Sequence, residues 1–325
     1  MLIKAIKVKK LSSDIVKFFK RKPVNIPMVA VTGGKGGTGK TSVAINLATI
    51  WSMKGNSVML VDTDVDCPND ALLLGTELGN CEEIPFFKPL IDTEKCTKCG
   101  ECAKVCEEHA LVYVKGRFPL FFEPLCSGCR ACLLVCPSEA ISKGYKILGN
   151  VCETSVNGIR LVTGELRPAE ARTPLVVRAT KEKAYDLAKQ NSPDLIIVDT
   201  APGVHNAVVR ALQGSDLALA VTEPTPLGAH DLQRILELTH ELGIQTSVVL
   251  NRADIPGGLR DIIYKLCTRH NVEAIFEIPL DNKLLESYVS GTPVVEKFPN
   301  ASSSSALLKL ANTLKEMIKN AENNI

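Results

Sequence analysis

The chain has 325 residues, 45% hydrophobic and 23% charged, with a formal net charge of +2. That balance suits a soluble protein with one large α/β domain and something smaller, and it excludes an overall nucleic-acid footprint. No apolar run reaches the roughly 18 residues that span a bilayer, and lysines interrupt every apolar stretch before Pro23, so no signal peptide is read and a cytoplasmic location is expected.

Residues 1–27 form a basic arm. Lys4, Lys7, Lys9, Lys10, Lys17, Lys20, Arg21 and Lys22 face one acid, Asp14, with Ile15, Val16, Phe18 and Phe19 among them. The arm reads as a disordered or protein-docked tail, with peripheral contact to an anionic membrane surface as the alternative. Residues 28–31 read as a buried strand. A glycine-rich loop follows, then a helix from Lys40 to about Lys54 and a second strand over 57–62. This is a βαβ opening.

The loop Gly34-Lys35-Gly36-Gly37-Thr38-Gly39-Lys40-Thr41 fits G-x-x-x-x-G-K-[ST] and stands between a strand and a helix, as the motif requires. Its glycines let backbone N–H groups turn around a phosphate, and the helix N-terminus adds partial positive charge. Lys40 is expected at the β- and γ-phosphates and Thr41 at Mg²⁺, with Ser42 beside them. Asp62, Asp64 and Asp66 then follow at alternate positions. Three carboxylates at a strand end need nearby cations, which Mg²⁺ and the loop lysines would supply.

The pattern breaks after about Pro68. Residues 91–152 carry Cys96-x₂-Cys99-x₂-Cys102-x₃-Cys106, then Cys126-x₂-Cys129-x₂-Cys132-x₃-Cys136-Pro137. This is the bacterial ferredoxin run twice. The fourth cysteine of each run serves the other cluster, so Cys96, Cys99, Cys102 and Cys136 are expected to hold one [4Fe–4S] cluster. Cys106, Cys126, Cys129 and Cys132 are expected to hold a second. Paired C-x₂-C zinc spacing does not fit. Glu107 stands where the first run normally has proline. Cys67, Cys81, Cys152 and Cys267 lie outside the runs and read as small buried hydrophobes, Cys67 being notable for its place among the acids.

Strand–helix alternation resumes with β-rich runs at 195–199, 217–221 and 247–251, and one more at 274–278. Residues 302–305 read as the cap of a final helix over 306–319. The apolar run 195–198 ends in Asp199, suited to hold Mg²⁺ through water. His205 reads as a helix-start residue rather than a catalyst. Such alternation implies a mostly parallel sheet with ligands at the carboxyl ends of its strands.

Lys35 through Thr41 is the motif K-G-G-x-G-K-[ST]. On it the chain resembles the deviant Walker A superfamily of MinD, ParA, nitrogenase iron proteins and Mrp-type scaffold ATPases. Over residues 28–320 it looks like members that contain an inserted ferredoxin domain. The resemblance implies a doubly wound P-loop NTPase sheet of α/β class, built from residues 28–90 and 153–325, with an α+β bacterial-ferredoxin-like insertion over 91–152. It implies that Lys35 crosses an ATP-sandwich homodimer, that Asp64 orients the attacking water, and that residues 200–203 form switch II. It also places Asn251, and less firmly Asp281, at the adenine. The implied cofactors are ATP or ADP, Mg²⁺ and two [4Fe–4S] clusters. The implied partners are a second copy and a redox or cofactor-assembly protein, with no nucleic acid. ATP-gated electron transfer is the leading expectation. Assistance in metallocluster assembly and MinD-like spatial positioning are the alternatives.

Overall fold

A computed structural model of the chain describes residues 22–272 and 274–322. The basic segment 1–21, and with it the choice between tail and membrane contact, lies outside the described residues. No described helix is long and apolar enough to cross a membrane.

The strands are β1 (Met28–Thr32), β2 (Val58–Asp62), β3 (Cys81–Ile91), β4 (Leu111–Val112), β5 (Leu120–Phe121), β6 (Ile141–Val156), β7 (Ile159–Leu166), β8 (Leu195–Asp199), β9 (Leu217–Thr222), β10 (Gln245–Asn251) and β11 (Ile275–Ile278). Nine of them form one sheet in the order β11-β10-β9-β1-β8-β2-β7-β6-β3. Every pairing from β11 to β7 is parallel. β1, β2 and β8 are buried along their whole length. Continuous apolar runs like these are what helices covering both faces require.

The helix Lys40–Met53 is apolar nearly all round and is buried over most of its length. It packs with the C-terminal helix Ser302–Glu322 in a core that includes Val31, Leu47, Leu60, Ile197, Leu219 and Leu310. Each such side chain contributes about 1.5–3 kcal/mol by leaving water. The final helix starts at Ser302, four residues earlier than its serines suggest. The reason is Asp281, whose Oδ2 accepts from Ser303 N (3.0 Å) and from the hydroxyls of Ser302 (2.9 Å) and Ser303 (2.8 Å). The serines are therefore inside the helix, and its cap comes from another part of the chain.

The chain divides into two compact units. The first runs to Glu82 and also comprises Asn150–Leu166 and the chain from Glu170 onward. The second is Glu83–Gly149 with Arg167–Ala169. β3 and β6 are the strands by which the chain leaves the first unit and returns to it. The second unit holds the two-stranded antiparallel sheet β4-β5 and two short helices, Glu101–Lys104 and Ala131–Leu134. Its halves repeat each other in backbone detail. Lys98 and Gly128, Gly100 and Arg130, and His109 and Glu139 share positive φ at equivalent places.

The spare cysteines are not all the small buried hydrophobes expected of them. Cys267 is buried and free, but Cys67 is exposed, and Cys81 and Cys152 are joined in a disulfide. Register sets this pairing: β3 and β6 bring residues distant in sequence side by side, which burial propensity does not foresee.

Candidate functional site

In the first unit, β1, β8 and β2 are neighbours, and Asp62 and Asp199 are register partners at their carboxyl ends. The loop after β1, the acids after β2 and the acid ending β8 therefore meet at one edge of the sheet. The glycine-rich loop turns there because Gly37 (φ +82°) and Gly39 (φ +98°) take backbone conformations costly for other residues. A Cβ on Gly39 would also stand 2.5 Å from Asn251 Nδ2.

Lys40 is buried, and its Nζ donates to the Lys35 carbonyl at 3.1 Å. Burial pulls its pKa down, while the charges of Asp199 and Asp64 oppose that. Thr41 Oγ1 donates to Asp199 Oδ2 at 2.6 Å. Asp62 shapes the acidic turn, its carboxylate accepting from the backbone N–H of Asp64 (3.1 Å), Asn69 (3.1 Å) and Asp70 (3.2 Å). Asp64, half-buried, is raised by burial and drawn back down mainly by Lys40, with His205 adding a smaller pull. His205 precedes the helix Asn206–Leu212 and sets Nε2 3.0 Å from the Pro202 carbonyl. Gly203 (φ +100°) donates its N–H to Gly33 O at 3.0 Å, tying residues 200–203 to the start of the phosphate loop.

Asp70 is a site residue the sequence analysis passed over, because an acid after Pro68 reads as turn chemistry. Asp62, Asp70 and Asp199 bring carboxylate oxygens within 4.8 Å of one another, all buried. No donor among the described residues reaches either Asp70 oxygen or Asp199 Oδ1. Burial raises all three, Asp62 and Asp70 well above the carboxylate range and Asp199 up to about 7. A buried Asp70 with neither oxygen met by a donor, beside two further buried carboxylates, demands a shared proton or a cation. With the Thr41 hydroxyl at their margin, this hard oxygen set fits Mg²⁺.

A cavity of about 510 Å³ opens from this edge. Gly36, Gly37, Gly39, Lys40, Thr41, Ser42, Asp64 and Asn251 line its polar end, and Pro279, Leu280, Leu284, Leu285 and Tyr288 its apolar end. That volume and that division suit a nucleotide, phosphates at one end and base at the other. Leu284, Leu285 and Tyr288 of that wall come from the helix Asn282–Val289, and the exposure of Leu285 and Tyr288 leaves an apolar surface on it.

The two residues expected at the base both line the cavity and both hold hydrogen bonds within the protein. Asn251 is buried, donates Nδ2 to Thr38 O (2.9 Å) and accepts from Arg252 N (3.0 Å), so it braces the phosphate loop. Asp281 reaches the cavity wall but caps two helices. Its Oδ1 accepts from Lys283 N at 2.9 Å, while Oδ2 holds Ser302 and Ser303. Lys35 is exposed, and neither its side chain nor Gly34 lines the cavity.

In the second unit, Cys106, Cys126, Cys129 and Cys132 line one small cavity with Phe87, Leu111 and Phe121. Three come from one run and the fourth from the other. Cys102 and Cys132 sit at the centre of this unit's small core, with Cys106 and Cys136 packed against it. Burial raises the Cys102 thiol and pushes Cys132 up to about 11. Backbone N–H groups face two sulfurs, Gly128 N to Cys126 Sγ (3.4 Å) and Ala140 N to Cys136 Sγ (3.2 Å). At Cys136, burial is outweighed by Ala140 N–H and the Ser138 hydroxyl, and the thiol sits below its ordinary value. Thiols gathered about a small core, two of them buried and two others met by backbone N–H groups, fit soft metal ligation, in which metal replaces the protons.

Fold and nucleotide site together define a P-loop NTPase with a mostly parallel α/β sheet. Residues 29–294 match the CobQ/CobB/MinD/ParA nucleotide binding domain family, and the chain belongs to it as an ATP-hydrolysing member of the MinD/ParA type. It is 36% identical over 265 residues to an uncharacterized protein of Methanocaldococcus jannaschii, covering 81% of this chain and 90% of that one. An iron-sulfur cluster carrier protein of Pyrococcus horikoshii is 27% identical, over 89% of this chain and 87% of its own length. The antiactivator FleN of Pseudomonas aeruginosa is 26% identical over 88% and 85%. The cell division ATPase MinD of Pyrococcus furiosus shares the fold, with a TM-score of 0.58 at 20% identity over 90% of this chain and 99% of that one.

Proposed function

We propose that this ATPase couples its nucleotide state to electron transfer through two [4Fe–4S] clusters held in residues 83–149. The observation that carries the reading is the cavity lined by Cys106, Cys126, Cys129 and Cys132. That is the crossed set the double ferredoxin spacing demands. Cys96, Cys99, Cys102 and Cys136 hold the other cluster. The clusters, when bound, supply one-electron chemistry. The chain sets their surroundings: Phe87, Leu111 and Phe121 line the cavity beside the sulfurs, and N–H groups of Gly128 and Ala140 hold negative charge at Cys126 and Cys136.

In the ATPase unit, Gly36 to Ser42 cradle the phosphates. Lys40 leaves the Lys35 carbonyl for the phosphate oxygens, and Thr41 and Asp199 hold Mg²⁺. Asp64 orients the attacking water. The exposed Lys35 reaches a second copy in an ATP-bound dimer. In sequence the cysteine-rich unit begins at Glu83, after the acidic turn 62–70 and the segment 71–82, which gives nucleotide state a covalent path to it.

Several relatives named as iron-sulfur cluster carriers favour a second reading, delivery of a cluster to another protein. One experiment separates the two. Anaerobic, dithionite-reduced protein is mixed with the protein encoded beside it, under ATP, ADP or no nucleotide. Cluster oxidation is followed by EPR, and iron in each partner is measured afterwards. Electron transfer predicts oxidation at least about tenfold faster with ATP, a differential barrier of roughly 1.4 kcal/mol, with iron retained. Iron moving to the partner supports delivery. Oxidation indifferent to nucleotide defeats the coupling.

A further inference from the structure

Cys81 and Cys152 belong to neither cysteine run, and their disulfide closes 71 residues of chain. Cys81 is the first residue of β3, and Cys152 lies within β6. The bond therefore joins the exit strand to the return strand, just on the first unit's side of both crossings, at Glu82/Glu83 and Gly149/Asn150. The two Cα atoms are 4.0 Å apart, on neighbouring strands. Close by, Glu153 N donates to Gly79 O at 3.1 Å.

The two sulfurs are not equivalent. Cys81 is exposed, whereas Cys152 is 1% exposed. An incoming thiolate can reach only the first. The remaining cysteines outside the runs lack this arrangement. Cys267 is buried with its thiol pushed up to about 11, and Cys67 is exposed without a thiol partner.

A P-loop ATPase acts where ATP is supplied, and eight cysteines in ferredoxin spacing must stay reduced to bind iron. Where thiols are kept reduced, a disulfide is usually transient, catalytic or redox-sensing. We propose that Cys81–Cys152 is a thiol–disulfide exchange site for an external dithiol protein, and that it switches the strands joining the two units between a cross-linked and an open state.

The exchange balances as a two-electron step. A thiolate of the incoming dithiol attacks Cys81 Sγ. The Cys81–Cys152 bond breaks, its electron pair stays on Cys152 Sγ, and that sulfur takes up a proton. The second thiol of the partner then attacks the mixed disulfide at the partner's own sulfur. Cys81 leaves as a thiol and the partner is left as a disulfide. Two electrons and two protons have passed to the pair.

The test uses full-length, iron-loaded protein under anaerobic conditions. It is equilibrated with graded ratios of reduced to oxidised dithiothreitol, acid-quenched and alkylated, and the Cys81 and Cys152 peptides are read by mass spectrometry. The proposal expects both peptides to convert together in folded protein with iron content unchanged. A thioredoxin with its second active-site cysteine changed to serine should be trapped on Cys81. Reduction, or Cys81→Ser, should speed amide exchange in β3 and β6 by about tenfold or more, as expected when local opening costs less. Thiols that stay unpaired even in fully oxidised dithiothreitol would overturn the proposal, and so would a bond reducible only in denaturant. Trapping on Cys152 overturns the attack geometry, and unchanged amide exchange overturns the switch.

Discussion

β1, β2 and β8 bury every residue they contain, while β4 and β5 supply two residues each and leave Val112 and Leu120 exposed. The core of the first unit is a large set of valines, leucines and isoleucines from strands and covering helices. The core of the second is Phe87, Leu111 and Ile141 with two cysteines, Cys102 and Cys132. A unit that small, with that little apolar burial, needs covalent or metal staples. On that contrast the first unit is expected to fold on hydrophobic burial alone and the second to depend on what its thiols bind.

The widest effect should come from removing iron. Chelation in mild reductant is expected to abolish amide protection across residues 83–149 and leave 28–62 protected. Hydrogen exchange with mass spectrometry reads both at once, and a second unit still protected without iron would break the comparison. Changing Cys126 to serine should remove about half of the iron if the ligand sets cross as proposed. The converse change acts on the other unit. Lys40→Ala removes the buried ammonium facing Asp64 and Asp199. ATP hydrolysis should fall by about 10²–10³-fold or more, with iron content and cluster EPR unchanged. Loss of iron in this variant would show that the units do not fold separately.

What could be read in advance follows the same division. The phosphate loop was legible because its special backbone angles need glycine, and Gly37 and Gly39 stand where φ is positive. The strands ending in Asp62, Asp199 and Asn251 were legible because buried parallel strands are short apolar runs with abrupt polar ends. β3, β6 and β7 were not. The sixteen residues of β6 mix buried and exposed positions without clean alternation, so neither period stands out. The Cys81–Cys152 pair depends on the register of those two strands, which no local pattern carries. Asp70 was overlooked because its role comes from Asp62 and Asp199 on neighbouring strands. Asn251 and Asp281 were placed at the cavity by resemblance, and their hydrogen bonds became visible only with the partners in view.

Asp281 gives the finest test, because its work is confined to the first unit and to one carboxylate. Burial raises its pKa, but the N–H groups of Ser303 and Lys283 and the hydroxyls of Ser303 and Ser302 outweigh that, and it settles at about 2 instead of 3.8. A depressed carboxyl contributes its stability in full above 3.8 and loses it as pH falls through about 2. Asp281→Ala removes caps from two helices and should cost about 1–2 kcal/mol at pH 7. That difference from the parent should shrink between pH 4 and pH 2. Asp281→Asn keeps an acceptor for Lys283 N–H but not the charge, so it should fall between the two at pH 7. Trp51 is the chain's single tryptophan and lies in the core of the first unit. Its fluorescence in urea reports that unit alone, even where acid has stripped the iron. A cost that stayed constant down to pH 2 would mean that Asp281 stabilises the helices by packing rather than by charge.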